Sequence, residues 1–173
     1  GGISTLYTEP SYQNGVVTTS GGYRGVPDVS FLADPNTGVS IVDSFDLGTA
    51  SPWMTIGGTS LSAPCWAGLI AITNQGRIAA GEGTLDGATQ TLPQLYGLSS
   101  SDFNDITSGS NGAYSAGDGY DEVTGLGTPR ALLVVSALVG TTITTPAPPP
   151  PVAANGTNSG VVYWDLENHD AYH

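Results

Sequence analysis

The chain has 173 residues, enough for one domain with a real core, and 39% of them are hydrophobic, ordinary for a soluble protein. Its charge is less ordinary: there is no lysine, and only Arg24, Arg77 and Arg130 stand against 15 acidic residues, giving a formal charge of −12 and a pI near 4.1. Nucleic acid and anionic membrane are poor partners for such a chain, because both need clustered basic side chains, and without lysine neither a Walker A loop nor a Ser-Lys dyad forms. The single cysteine, Cys65, rules out an intrachain disulfide, and its place in an apolar helical stretch predicts a core residue. There is no uninterrupted apolar run of about 18 residues and no signal-peptide pattern. The chain opens on Gly1 rather than methionine, so it reads as a processed product or a piece, with an upstream portion expected.

Residues 1–22, rich in Gly, Ser, Thr, Tyr and Asn, suit surface loops. Residues 24–30 read as a short strand running into the turn Asp34-Pro35-Asn36-Thr37-Gly38, whose composition is strong turn chemistry. Residues 39–45 and 53–56 are predicted as two strands around a turn at 46–52, a hairpin that delivers the chain to Gly57-Gly58-Thr59-Ser60-Leu61-Ser62-Ala63-Pro64. From there 61–80 reads as one long buried apolar helix. A glycine-rich loop at 81–87, a short helical piece at 92–98 and a loop-dominated stretch at 103–127 follow, and 130–139 closes as an apolar helix after Pro129. At 141 the composition changes: 141–160 is predicted as an extended Pro/Thr/Asn-rich linker and 161–173 as the start of a further segment. Within the linker, Asn155-Gly156-Thr157 matches a glycosylation acceptor pattern.

The octet at 57–64 presents a serine at a helix start. Two glycines leave the backbone unhindered, Pro64 suits the first turn, and the unpaired N–H groups of a helix N-terminus favour an alkoxide or oxyanion there. A cap for a buried helix would use the same residue types. Gly-Thr-Ser-x-x-Ala-Pro resembles the nucleophile motif of subtilisin-like serine peptidases, a clan that includes the subtilisins and the sedolisins, or serine-carboxyl peptidases. The resemblance makes Ser60 the nucleophile. The only histidines, His169 and His173, lie beyond the proline-rich stretch, so no histidine base sits near it in the sequence.

A second group of motifs separates the two branches. Asn104-Asp105-Ile106-Thr107-Ser108-Gly109, Ala116-Gly117-Asp118-Gly119-Tyr120-Asp121 and Thr124-Gly125-Leu126-Gly127-Thr128-Pro129 set aspartates among glycines, which offers hard carboxylate oxygens and lets backbone carbonyls turn inward, as calcium requires. The spacing is not that of an EF-hand, and an acidic glycine loop without metal is the plain alternative. It resembles the calcium site of sedolisins, which implies side-chain oxygens from Asp105 and Asp121 and carbonyls from Ile106, Gly117 and Gly119, with Asp118 and Glu122 as solvated neighbours.

With the 24–38 stretch in the same order, the resemblance to sedolisins covers residues 1–140. It implies the C-terminal portion of a subtilisin-like α/β fold, a parallel sheet flanked by helices, in a secreted, calcium-binding peptidase acting on polypeptides at acid pH. Its glutamate base, the aspartate that orients it and the aspartate that assists the oxyanion are then expected in the upstream part of the peptidase, while Asp28, Asp34 and Asp43 match structural turns and strands. A subtilisin-type peptidase with Asp and His upstream, and a non-catalytic calcium-stabilised binding domain, are the other two readings.

Overall fold

The computed structural model describes residues 1–141, together with the backbone of Tyr163–Trp164 and Ala171–Tyr172. Most of the expected linker, and His169 and His173, lie outside the described residues.

Strand β1 (Gly2–Thr8) pairs antiparallel with β2 (Tyr23–Val26), with an irregular register between Ile3 and Thr8. The first residues thus form a strand where loops were expected. The mixed composition hides its pairing, which is set by a partner some 20 residues on. The expected hairpin is present as β3 (Val39–Val42) and β4 (Trp53–Ile56), in continuous register from Val39 opposite Ile56 to Val42 opposite Trp53. Helix α1 (Thr59–Ala79) follows at once, and Ala80 ends it with N–H bonds back to the last turn. After it come a single π-turn (Gly87–Thr91), capped by the Asp86 side chain, and the short α2 (Leu92–Tyr96). Strands β5 (Phe103–Asn104) and β6 (Thr128–Pro129) pair antiparallel at the base of the long glycine-rich loop. Helix α3 (Ala131–Val139) ends on Gly140, whose φ of +78° is the left-handed conformation that glycine adopts without strain. The further strands β7 (Tyr163–Trp164) and β8 (Ala171–Tyr172) also pair antiparallel.

Among the described residues every strand pair is antiparallel, so the expected parallel sheet is not formed there and the architecture is four two-stranded sheets with helices. Burial of α1 also differs from expectation. Leu85, Leu95, Phe103, Val134 and Leu138 form the core, and α1 contributes only one flank to it, through Trp66, Leu69 and Ile70. Its other flank exposes Ile72 and Ile78, and Cys65 is half-buried. No helix among the described residues is long and apolar enough to cross a membrane.

A polar cluster joins the two halves of the described chain. The fully buried Gln13 clamps Gly25 by both main-chain groups, accepting its N–H at 3.0 Å and donating to its carbonyl at 2.9 Å, and its amide also donates to the Tyr96 hydroxyl at 2.8 Å. Tyr96 in turn donates to Asp28 Oδ1 at 3.0 Å, and Arg24 meets Asp28 Oδ2 at 2.5 Å while donating to Tyr12 at 2.9 Å. Burial, and next the Asp28 carboxylate, push the Tyr96 phenol far above its ordinary value, so it stays a neutral donor. Asp28→Ala leaves the Arg24 guanidinium and the Tyr96 hydroxyl without their acceptor, and should lower the stability of the complete protein by about 3 kcal/mol. Denaturant unfolding checks this against the exposed Asp118→Ala; equal midpoints for the two variants would mean the cluster carries no stability.

Candidate active site

Strand β4 ends at Ile56, and Gly57-Gly58 turns the chain directly into α1. Gly58 takes the N-cap position with φ +145°, a conformation side chains rarely adopt. Its carbonyl accepts the N–H groups of Leu61 at 2.9 Å and Ser62 at 3.1 Å. The helical ladder therefore begins after Ser60, and the N–H groups of Thr59 and Ser60 belong to the unpaired donors of a helix N-terminus. Ser62 turns its hydroxyl back onto the Gly58 carbonyl at 3.2 Å, whereas Ser60 is exposed at the first turn. Ser62 thus spends its hydroxyl on the helix backbone, while Ser60 is left presented to solvent. Pro64 was expected in the first turn, but α1 begins at Thr59 and places it inside the helix, where its missing N–H leaves the Ser60 carbonyl without its i+4 donor.

The elbow is held from below by the stretch that enters β3. Gly58 donates to the Leu32 carbonyl at 3.4 Å, and the Trp66 indole donates to the Ser30 carbonyl at 2.9 Å. Gly57 lies against the Asp34 carbonyl and Pro35 so closely that a Cβ there would collide with the Asp34 oxygen. Asp34 itself closes a tight turn, its Oδ1 accepting the Asn36 N–H at 2.9 Å and the Asn36 side-chain amide at 2.8 Å. Asp43 acts likewise at the hairpin turn, accepting the N–H groups of Phe45 and Asp46. Both aspartates are local turn organisers, while Asp28 belongs to the buried cluster.

The long loop brings four of the five sequence-predicted metal residues together. Asp105 Oδ2 accepts the Gly119 N–H at 2.7 Å and Asp121 Oδ2 accepts the Gly117 N–H at 3.0 Å, so both carboxylates converge on 117–119, with Ile106 the chain neighbour of Asp105. Asp121 is only 6% exposed, and its Oδ1 also accepts the N–H groups of Val123 at 2.8 Å and Thr124 at 2.7 Å. Gly119 has φ +79°, which bends the loop between the two aspartates. No cluster of three acidic, histidine or cysteine side chains suited to a metal occurs among the described residues, so a cation here would rest on two carboxylates and backbone carbonyls. Such a donor set would be all hard oxygen, the kind calcium takes, while here Gly117 and Gly119 turn their N–H groups onto the two carboxylates.

The neighbours of the loop depart in part from expectation. Asp118 is exposed as expected, but Glu122 is buried, with its carboxylate accepting a hydrogen bond from Thr19. Position in an acidic glycine loop suggests solvent; packing of the 1–26 region over the loop removes it. Tyr120 turns inward beneath Gly25, its ring 6.3 Å from that of Tyr96, and its hydroxyl is buried with no partner among the described residues. The Gln13–Asp28–Tyr96 cluster had no signal in the sequence, since its members are up to 83 positions apart.

No family model matches the chain. It is 38% identical over 151 residues to kumamolisin from Bacillus sp. (strain MN-32), which covers 80% of this chain and 25% of that protein. It is 34% identical over 134 residues to sedolisin from Pseudomonas sp. (strain 101), covering 73% and 20%, and 28% identical over 163 residues to tripeptidyl-peptidase 1 from Homo sapiens, covering 80% and 27%. The chain spans about a quarter of the length of these curated relatives. Along the greater part of its own length, this chain belongs to the sedolisin family.

Proposed function

We propose that the chain is the nucleophile-bearing portion of a subtilisin-like serine-carboxyl peptidase, secreted and working at acid pH. The observation that carries the reading is Ser60, exposed at the head of a 21-residue helix immediately after Gly57-Gly58, with the family relationship in support. Ser60 Oγ attacks the carbonyl carbon of a peptide bond in a polypeptide substrate, its proton passing to a carboxylate base. The tetrahedral oxyanion draws on the unpaired N–H donors and positive dipole end of α1, the amine leaves, and water then releases the acyl group from Ser60. The base is a glutamate oriented by an aspartate, and a further aspartate assists the oxyanion; all three come from a part of the peptidase outside this chain. A carboxylate base works near its own pKa, and a carboxylic acid donates to an oxyanion only while protonated, which places activity below neutral pH.

Calcium belongs to the same reading. Asp105 and Asp121 would hold it with the carbonyls of Ile106, Gly117 and Gly119, and the ion would fix a loop that otherwise gathers two like charges.

In the complete peptidase, Ser60→Ala should remove hydrolysis by several orders of magnitude with the melting temperature unchanged. Activity within about tenfold of the parent, measured as kcat/KM on a peptide at acid pH, would exclude Ser60 as nucleophile and favour the binding-domain reading. Purified residues 1–173 alone should be inert towards the same peptide, because the base is missing; turnover abolished by Ser60→Ala would require a base within the chain. Calcium at a hundredfold excess over its Kd should stabilise the complete peptidase by about 2.7 kcal/mol, an effect lost with chelator or in Asp121→Asn. Because acid protonates the ligands, that gain should shrink as pH falls through their folded-state pKa values. Melting curves with calcium, with chelator and for the variant check both statements: identical midpoints would mean no structural calcium at this loop.

A further inference from the structure

We propose that the stretch Ser30–Asp34 is the positioning element of the nucleophile, acting on Ser60 through Gly57, Gly58 and Trp66. This rests on the assignment of Ser60 as nucleophile. Three main-chain carbonyls spaced two residues apart face the elbow: that of Ser30 accepts the Trp66 indole N–H at 2.9 Å, that of Leu32 accepts the Gly58 N–H at 3.4 Å, and that of Asp34 lies against the Cα of Gly57. The first of these fixes the second turn of α1, the second fixes its N-cap, and the third fixes the residue before the cap. Ser60 lies between these anchors, so its backbone is held on both sides.

The start of the same stretch is tied down as well. The Asp28 carbonyl accepts the Leu126 N–H at 2.9 Å and the Ser30 N–H donates to the Gly127 carbonyl at 3.1 Å. The stretch is therefore also attached to the loop that carries Asp121. At its far end the Asp34 carboxylate holds the turn through Asn36, and the Thr37 N–H donates to the Asp34 carbonyl at 3.2 Å. Glycine is required where the two backbones touch: a Cβ on Gly57 would strike the Asp34 carbonyl, and one on Gly38 would strike the Ile56 carbonyl. Asp34, Gly57 and Trp66 are thus positioning residues that act on Ser60 through the backbone.

The test is steady-state kinetics and burst-phase acylation with a peptide ester on the complete peptidase. Gly57→Ala should lower kcat about a hundredfold, the loss expected for a displacement of the nucleophile near 1 Å, with KM within about twofold of the parent. Asp34→Ala, which frees the turn, should lower kcat about tenfold, and Asp34→Asn, which keeps an oxygen for the Asn36 N–H, should recover it to within about threefold of the parent. The acylation rate should fall in step with kcat, and the pH profile should keep its shape because the Asp34 carboxylate holds a turn and exchanges no proton with the reacting groups. If Gly57→Ala does not fold, the Asp34 pair decides. Parental kcat in Asp34→Ala, or equal losses in Asp34→Ala and Asp34→Asn, would overturn the proposal while Ser60→Ala remains inert. Acylation persisting in Ser60→Ala would instead overturn the assignment of the nucleophile.

Discussion

Asp28 is the residue through which the described chain is held together. Its carboxylate takes the Arg24 guanidinium on one oxygen and the Tyr96 hydroxyl on the other, and its carbonyl takes the Leu126 N–H. Those partners lie in the β1–β2 sheet region, in α2 and in the loop that carries the candidate calcium residues. A short aspartate with few rotamers ties them more rigidly than a longer acid could, since less side-chain entropy opposes the arrangement. Gln13 completes the cluster by satisfying both main-chain groups of Gly25, a position where Tyr120 and Val17 leave no room for a side chain. A buried polar cluster of this kind is stabilising only while every member is partnered, which is why Asp28 matters more than its neighbours.

Much of the local structure is legible in the sequence, because it is set by neighbours along the chain. The β3–β4 hairpin, α1 and α3 announce themselves by periodicity, and Asp34-Pro35-Asn36-Thr37-Gly38 announces its turn by composition. The octet around Ser60 is legible for the same reason, since the glycine pair and the helix start are contiguous. What was not legible depends on distant partners: β1 needs β2, the burial of Glu122 needs Thr19, and the Asp28 cluster needs Tyr96, 68 positions on. The parallel sheet followed from the resemblance alone, and the antiparallel pairs of the described residues do not reproduce it.

The scarcity of basic residues gives each arginine a fixed task. Arg24 serves the Asp28 cluster, Arg130 bonds the Asn104 side chain at 2.9 Å beside Asp105, and Arg77 bonds the carbonyls of Gly83 and Leu138, both at 2.9 Å. Arg130 therefore answers an amide oxygen, and Arg77 answers two backbone carbonyls with the Glu82 carboxylate 3.7 Å away. With three arginines for 15 acids, and ion pairs only to Asp28 and Glu82 among the described residues, the mutual repulsion of the acids is relieved chiefly by protonation. A chain so built loses little attraction and much repulsion as pH falls.

Arg77 has a mechanical consequence. Its guanidinium joins the last turn of α1 to the last turn of α3, and Val139 packs over Gly76 at the same place. The main chain thus passes Gly140 and Thr141 at the end of α1 remote from Ser60, about 30 Å along the axis for a helix of this length. A pull on the downstream chain would load this riveted end of the two helices first. The strain would be taken up a whole helix away from the nucleophile, so a load applied at Thr141 need not tilt the serine.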